Sequence, residues 1–187
     1  TKKPVKKTID IPMVTPKSKV QIEYHNNMED TYKNETMMRA VSNILDRRFT
    51  ETVREEKGGT YGVRTYGYLS PIPIDQYNYI ITFTCDPDRM DELKKVVYNE
   101  IDKLTSGDVE EHYIEEFKKA YAKKRSEDMK DNFNWLNILS SYDRYGMYSY
   151  APKMDKLVEN ITKDQIVAFA RNVFKDDVKM EVVFLPE

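Results

Sequence analysis

Arg54-Glu55-Glu56-Lys57-Gly58-Gly59-Thr60-Tyr61-Gly62-Val63 is the stretch at which the chain changes period. Upstream, Met37, Val41, Ile44, Leu45 and Phe49 recur at helical spacing, and Glu35 near the start suits the positive end of a helix dipole. Downstream, Thr60 to Leu69 and Tyr77 to Cys85 are rich in Tyr, Thr, Ile and Phe. The pattern predicts a helix from Asn34 to about Glu56, a reversal at Gly58-Gly59, and a hairpin whose strands are joined by Ser70-Pro71-Ile72-Pro73. A helix folded back into a strand brings Arg54 and Tyr61 to one side of the turn. A fork of N–H donors and a phenol so placed could hydrogen-bond the carbonyls of an extended peptide. Equally, Arg54 could interact with its own helix C-terminus while Tyr61 packs in the sheet. The residues alone leave both readings open.

Outward from this stretch, Lys19 to His25 alternates through Val20, Ile22 and Tyr24 as a half-buried strand. Thr1 to Ser18, rich in Lys and Pro, reads as an extended linker, so the domain is expected to span residues 19–187. The start at Thr1 without a Met reads as a piece of a longer protein. Met90, Leu93, Val97, Ile101 and Leu104 mark a second helix, ended by Gly107, and Asp108 with Glu111 resembles a capping box for a third. The buried stripe of that third helix would be Tyr113, Phe117, Ala120 and Tyr121. Trp135, Leu136 and Leu139 predict another helix, Thr162 with Gln165 caps the last one, and Val178 to Leu185 is a final strand. Strand, helix, two strands, several helices, strand is the order of an α+β domain: a mostly antiparallel sheet covered on one face by helices.

A chain of 187 residues suits a single core, and no apolar run is long enough to cross a bilayer. With 30 Lys and Arg against 32 Asp and Glu, it lacks the positive field that dominates binding to nucleic acid. Cys85, the only cysteine, excludes an internal disulfide and any zinc site of several thiolates. It lies in an apolar-alternating strand with no basic neighbour in sequence to activate it.

His112-Tyr113-Ile114-Glu115-Glu116 follows the inverted zinc motif H-x-x-E-H for four positions and fails at the fifth. The other histidine, His25, belongs to a different element. No metal site is therefore assigned, and His112 is expected on the solvated face of its helix. Gly58-Gly59-Thr60-Tyr61-Gly62 runs from helix into strand, the reverse of a phosphate-binding loop. The pairs Glu55-Glu56 and Glu115-Glu116 read as solvated helix faces.

Four features together resemble the inactive, C-terminal half-domain of the M16 zinc metallopeptidases (insulinase, pitrilysin and mitochondrial processing peptidase). They are the helix ending Arg54-Glu55-Glu56, the turn through Val63, the strand exit Phe83-Thr84-Cys85-Asp86-Pro87 and the helix start Asn132-Phe133-Asn134-Trp135-Leu136. The resemblance covers Lys19 to Pro186 and is nearest to the bacterial zinc proteases associated by name with pyrroloquinoline quinone synthesis. It favours a bacterial periplasm or cell envelope. It implies a clamshell in which the N-terminal half carries H-x-x-E-H and zinc, while the C-terminal half offers an Arg and a Tyr, seven positions apart, to the peptide. Arg54 and Tyr61 match those positions, so the resemblance implies substrate binding for both and no catalytic residue or cofactor in this domain. Many members have Leu-Gly where Gly58-Gly59 stands. The implied partners are the zinc-binding half-domain and a peptide substrate. The alternative is a scaffold of the same fold that binds a protein without proteolysis.

Overall fold

The computed structural model describes residues 3–53, 62–145 and 152–187. Five strands, β1 (Val5–Ile11), β2 (Ser18–Asn27), β3 (Arg64–Ser70), β4 (Gln76–Cys85) and β5 (Lys179–Pro186), form one sheet in the order β1-β5-β2-β4-β3. Every neighbouring pair is antiparallel except β1 with β5. The helices are α1 (Tyr32–Glu51), α2 (Met90–Ser106), α3 (Glu111–Asp128), α4 (Asn132–Tyr145), α5 (Pro152–Glu159) and α6 (Lys163–Val173). None of them is long and apolar enough to cross a membrane. The expected α+β architecture, a mostly antiparallel sheet with helices on one face, is the architecture found.

Strict alternation sets which face is covered, because side chains two apart share a side of the pleat. In the central strands Val20, Ile22 and Tyr24 pair across from Phe83, Ile81 and Tyr79, and all six are buried. Phe174, just beyond α6, meets Tyr24 and Tyr79 edge-on, with ring centroids 5.1 and 4.8 Å apart, while the Tyr77 hydroxyl donates to the Val173 carbonyl at 2.8 Å. These contacts place the end of α6 against the middle of the sheet. Against β3, α1 comes so near that a Cβ at Gly67 would lie 2.3 Å from the Met38 sulfur. Glycine at 67 is therefore a packing requirement.

Helix boundaries follow their signals in part. Thr31 caps α1, and Thr162 with Gln165 forms the expected capping box of α6. Gly107 ends α2 with a left-handed φ of 96°. Asp108 does not cap α3. That helix starts after Glu110 without a side-chain cap, and the Asp108 carbonyl accepts instead from Arg48. Ala120 is exposed, so the buried side chains of α3 are Tyr113, Ile114 and Phe117. Periodicity did not predict α5, whose eight residues make barely two turns.

The linker reading needs correction. Val5–Ile11 is a strand, paired residue for residue with Met180–Pro186. Val5, Ile9 and Ile11 are half-buried in an alternating pattern, Pro4 and Pro12 fall outside the strand, and Lys6 and Lys7 supply the exposed charge typical of a sheet edge. Composition concealed a period of two. Deleting residues 1–13 should consequently lower the melting temperature by several degrees, where loss of a linker would leave the thermal melt unchanged.

One acid is buried on the covered face. Glu181 accepts from the Tyr98 hydroxyl and from Lys94 Nζ at 3.1 Å. Burial opposes its ionisation, but these donors and the nearby Lys6 outweigh it, and its pKa is lowered from 4.5. A lowered carboxylate pKa contributes stability above the unfolded value that is lost as pH falls through the folded one. Glu181→Gln should accordingly flatten the loss of stability below pH 4.5 seen in denaturant titrations of the parent chain; superimposable acid limbs would contradict this.

Candidate functional site

Arg54 and Tyr61 lie outside the described residues, as do Gly58-Gly59 and the last turn expected of the helix up to Glu56. Val53, two residues beyond α1, and Val63, one residue before β3 begins, are both buried. Outside these points on either side, the Asp46 carboxylate of α1 accepts the Thr65 backbone N–H of β3 at 3.0 Å. Burial raises the Asp46 pKa, partly offset by that N–H.

Around the end of α1, each described charge has a partner within the fold. Arg48 is buried, with Nε 2.6 Å from Glu100 and an Nη 2.6 Å from the Asp108 carbonyl oxygen, and its guanidinium sits 5.9 Å from the Tyr113 ring centre. Glu100 also accepts from Lys103 at 2.8 Å. Arg47 pairs with Glu116 at 3.3 Å, and Glu51 accepts from the Tyr113 hydroxyl at 2.5 Å. Burial first, and then the Glu51 carboxylate, push the Tyr113 pKa up, so its phenol remains a donor. Sequence reasoning missed Asp46, Arg48 and Glu51. The signal was present for Arg48, which interrupts the apolar stripe between Leu45 and Phe49. A cation there implies a buried partner.

The broken zinc motif is occupied by ordinary contacts. His112 is half-exposed, 3.1 Å from Glu110, with its ring 3.9 Å from that of Tyr113. Glu115 pairs with Lys118 at 3.0 Å and Glu116 with Arg47. His25, on β2, instead lies within hydrogen-bonding distance of the Tyr77 carbonyl and the Asn78 amide. Among the described residues no group of three or more His, Cys, Asp or Glu converges on a point where a metal could sit. Zinc does not fit the donor sets present. Cys85 is buried, and burial raises its thiol pKa against the lowering pull of Arg89 and Lys17, leaving the protonated form inert.

Residues 1–121 match the family described as the peptidase M16 inactive domain. No curated protein matches the sequence. Among solved structures, the chain is similar to the periplasmic protease PqqL from Escherichia coli (TM-score 0.83, 17% identity), covering 100% of this chain and 21% of that one. A protease from Helicobacter pylori has a TM-score of 0.83 at 12% identity, covering 99% of this chain and 45% of that one. The peptidase M16 inactive domain from Pseudomonas fluorescens has a TM-score of 0.81 at 17% identity, covering 99% and 44%. At these identities the likeness establishes the fold. The chain spans less than half the length of each.

The Asp46–Thr65 bond makes the junction of α1 and β3 testable. Asp46→Ala should cost about 1–3 kcal/mol by leaving the Thr65 N–H without its acceptor. Asp46→Asn, which keeps an acceptor and removes a charge that burial disfavours, should cost clearly less. Equal melting temperatures for the two variants would show that the bond does not anchor the junction.

Proposed function

This chain belongs to the M16 peptidase inactive-domain family, and from that premise we propose that it is the peptide-holding, non-hydrolytic half of a zinc endopeptidase whose metal lies in another domain. The observation that carries the reading is the pairing of a resemblance with a frame. The family's Arg and Tyr stand seven apart across a helix, turn and strand. Arg54 and Tyr61 occupy that spacing between the end of α1 and the start of β3, two elements held together by the Asp46–Thr65 bond.

In this reading Arg54 and Tyr61 donate hydrogen bonds to an extended peptide and to the oxygen that gains charge during hydrolysis. Zinc, in the partner half, would supply the activated water. The described charges at the end of α1, Arg47, Arg48 and Glu51, are already engaged at Glu116, Glu100 and Tyr113. A donor aimed at developing charge stabilises the transition state more than the ground state.

The test is kinetic and uses the enzyme in which this domain is paired with its zinc-binding half. Arg54→Ala and Tyr61→Phe should each lower kcat/KM by roughly a hundredfold while melting temperatures stay within a few degrees of the parent. Full turnover in both variants would return the domain to the scaffold reading. Lost turnover matched by a large drop in melting temperature would make both residues structural.

A further inference from the structure

The N-terminal end of α1 meets α5 and the start of α6 around a pocket of about 430 Å³. Its floor is apolar: Met37 and Ile161 are buried, and Leu157 is half-buried. Two polar side chains within it are already used. The Thr36 hydroxyl donates to the Tyr32 carbonyl at 2.7 Å, and the Asn160 side-chain amide donates to the Lys156 carbonyl at 2.7 Å. A concave apolar interior of this size, with a few polar groups at its margin, is the build of a small-molecule site.

The margin carries one sign of charge. Lys33 and Lys156 line the pocket and are exposed, while among the described residues no carboxylate lines it, in a chain with 32 Asp and Glu. Asp30 and Glu159 stand three residues from these lysines in sequence, yet neither ammonium has an ion-pair or hydrogen-bond partner among the described residues. Gln165 adds a third donor. Its side-chain carbonyl accepts the Thr162 N–H at 3.1 Å in the capping box, which leaves its NH2 group available. Lys33 and Gln165 also stand in the first turns of α1 and α6, where the helix dipole is positive. Three donors, two of them charged, beside an apolar floor complement one anionic group on an apolar body.

We propose that this pocket binds an apolar monocarboxylate of the class of a medium-chain fatty acid, with its carboxylate at Lys33, Lys156 and Gln165 and its hydrocarbon over Met37, Leu157 and Ile161. The lining selects the body of the ligand as well as its charge. A peptide's amide groups would lie against a floor whose Thr36 and Asn160 donors are spent, losing water without gaining partners, whereas a hydrocarbon gives up no hydrogen bond there. The site is separate from the peptide contact proposed above, because α1 has 20 residues and its two ends lie about 30 Å apart.

Decanoate, kept below its micellar concentration, is the probe. Titrated into the 187-residue chain and followed by amide shifts in NMR spectra, it should fill one saturable site, with the shifts centred on α5 and the first turns of α1 and α6. Octanoate should bind about tenfold more weakly, since two fewer methylenes cover the floor. Octanol, which keeps that tail and lacks the charge, should bind at least about tenfold more weakly than octanoate, and Lys33→Gln with Lys156→Gln should weaken decanoate binding by a similar factor. Both lysines are exposed, so the double variant should melt with the parent. Absence of saturable binding, shifts centred elsewhere, octanol bound as tightly as octanoate, or undiminished decanoate binding by the double variant overturns the proposal.

Discussion

Arg48 brings a full positive charge into the interior, and the arrangement of the helices follows from how that charge is answered. Its guanidinium reaches Glu100 on α2 and the Asp108 carbonyl in the connection to α3, with the Tyr113 ring of α3 alongside. Three segments remote in sequence thus meet at one side chain of α1. Pairs of this kind add little net stability over an apolar packing, but an unanswered buried charge costs several kcal/mol. Alternative packings of α1 that separate Arg48 from Glu100 are therefore heavily penalised. Gly67 acts on the same helix from below, since only a residue without Cβ lets Met38 settle on β3. The ion pair sets α1 sideways and the glycine sets its height above the sheet.

A helix held in this way is a stable platform for whatever follows its C-terminus. The surrounding ionic groups contribute by being used up. Glu116, which stands where an inverted zinc motif would need its last histidine, neutralises Arg47, and Glu115 neutralises Lys118. The Arg47–Glu116 pair links α1 to α3, while the Glu115–Lys118 pair lies within α3 itself.

The parts of the fold that the sequence made legible are those where one physical rule acted alone. β2 and β4 alternate cleanly because one face is buried and the other is open, and α1, α2 and α6 show their stripes because each lies on the sheet or on a neighbouring helix. β1 was hidden because its lysines serve as edge protection and its flanking prolines as strand ends, a combination that imitates a linker. Asp108 looked like a cap because its side chain suits that role, whereas the fold uses its carbonyl. Arg48 was passed over because surface helices commonly carry arginine, and only its position within the apolar stripe betrayed it. Arg54 and Tyr61 came from resemblance, since spacing by itself could not choose between a peptide contact and a helix end packed on a strand.

The parallel pairing of β1 with β5 has a consequence for biosynthesis. Val5 lies opposite Met180, so the first strand of this sheet to be made can be completed only by the last strand of the same sheet. β2, β4 and β3 can assemble while the helices are still being made, but the slot between β1 and β2 stays empty until β5 arrives. Non-local pairings of this kind pay their loop-closure entropy late and fold slowly. During translation the nascent domain therefore carries two open strand edges where the finished sheet has an interior. Lys6 and Lys7, already on the waiting strand, are well placed to keep other chains from filling that slot first.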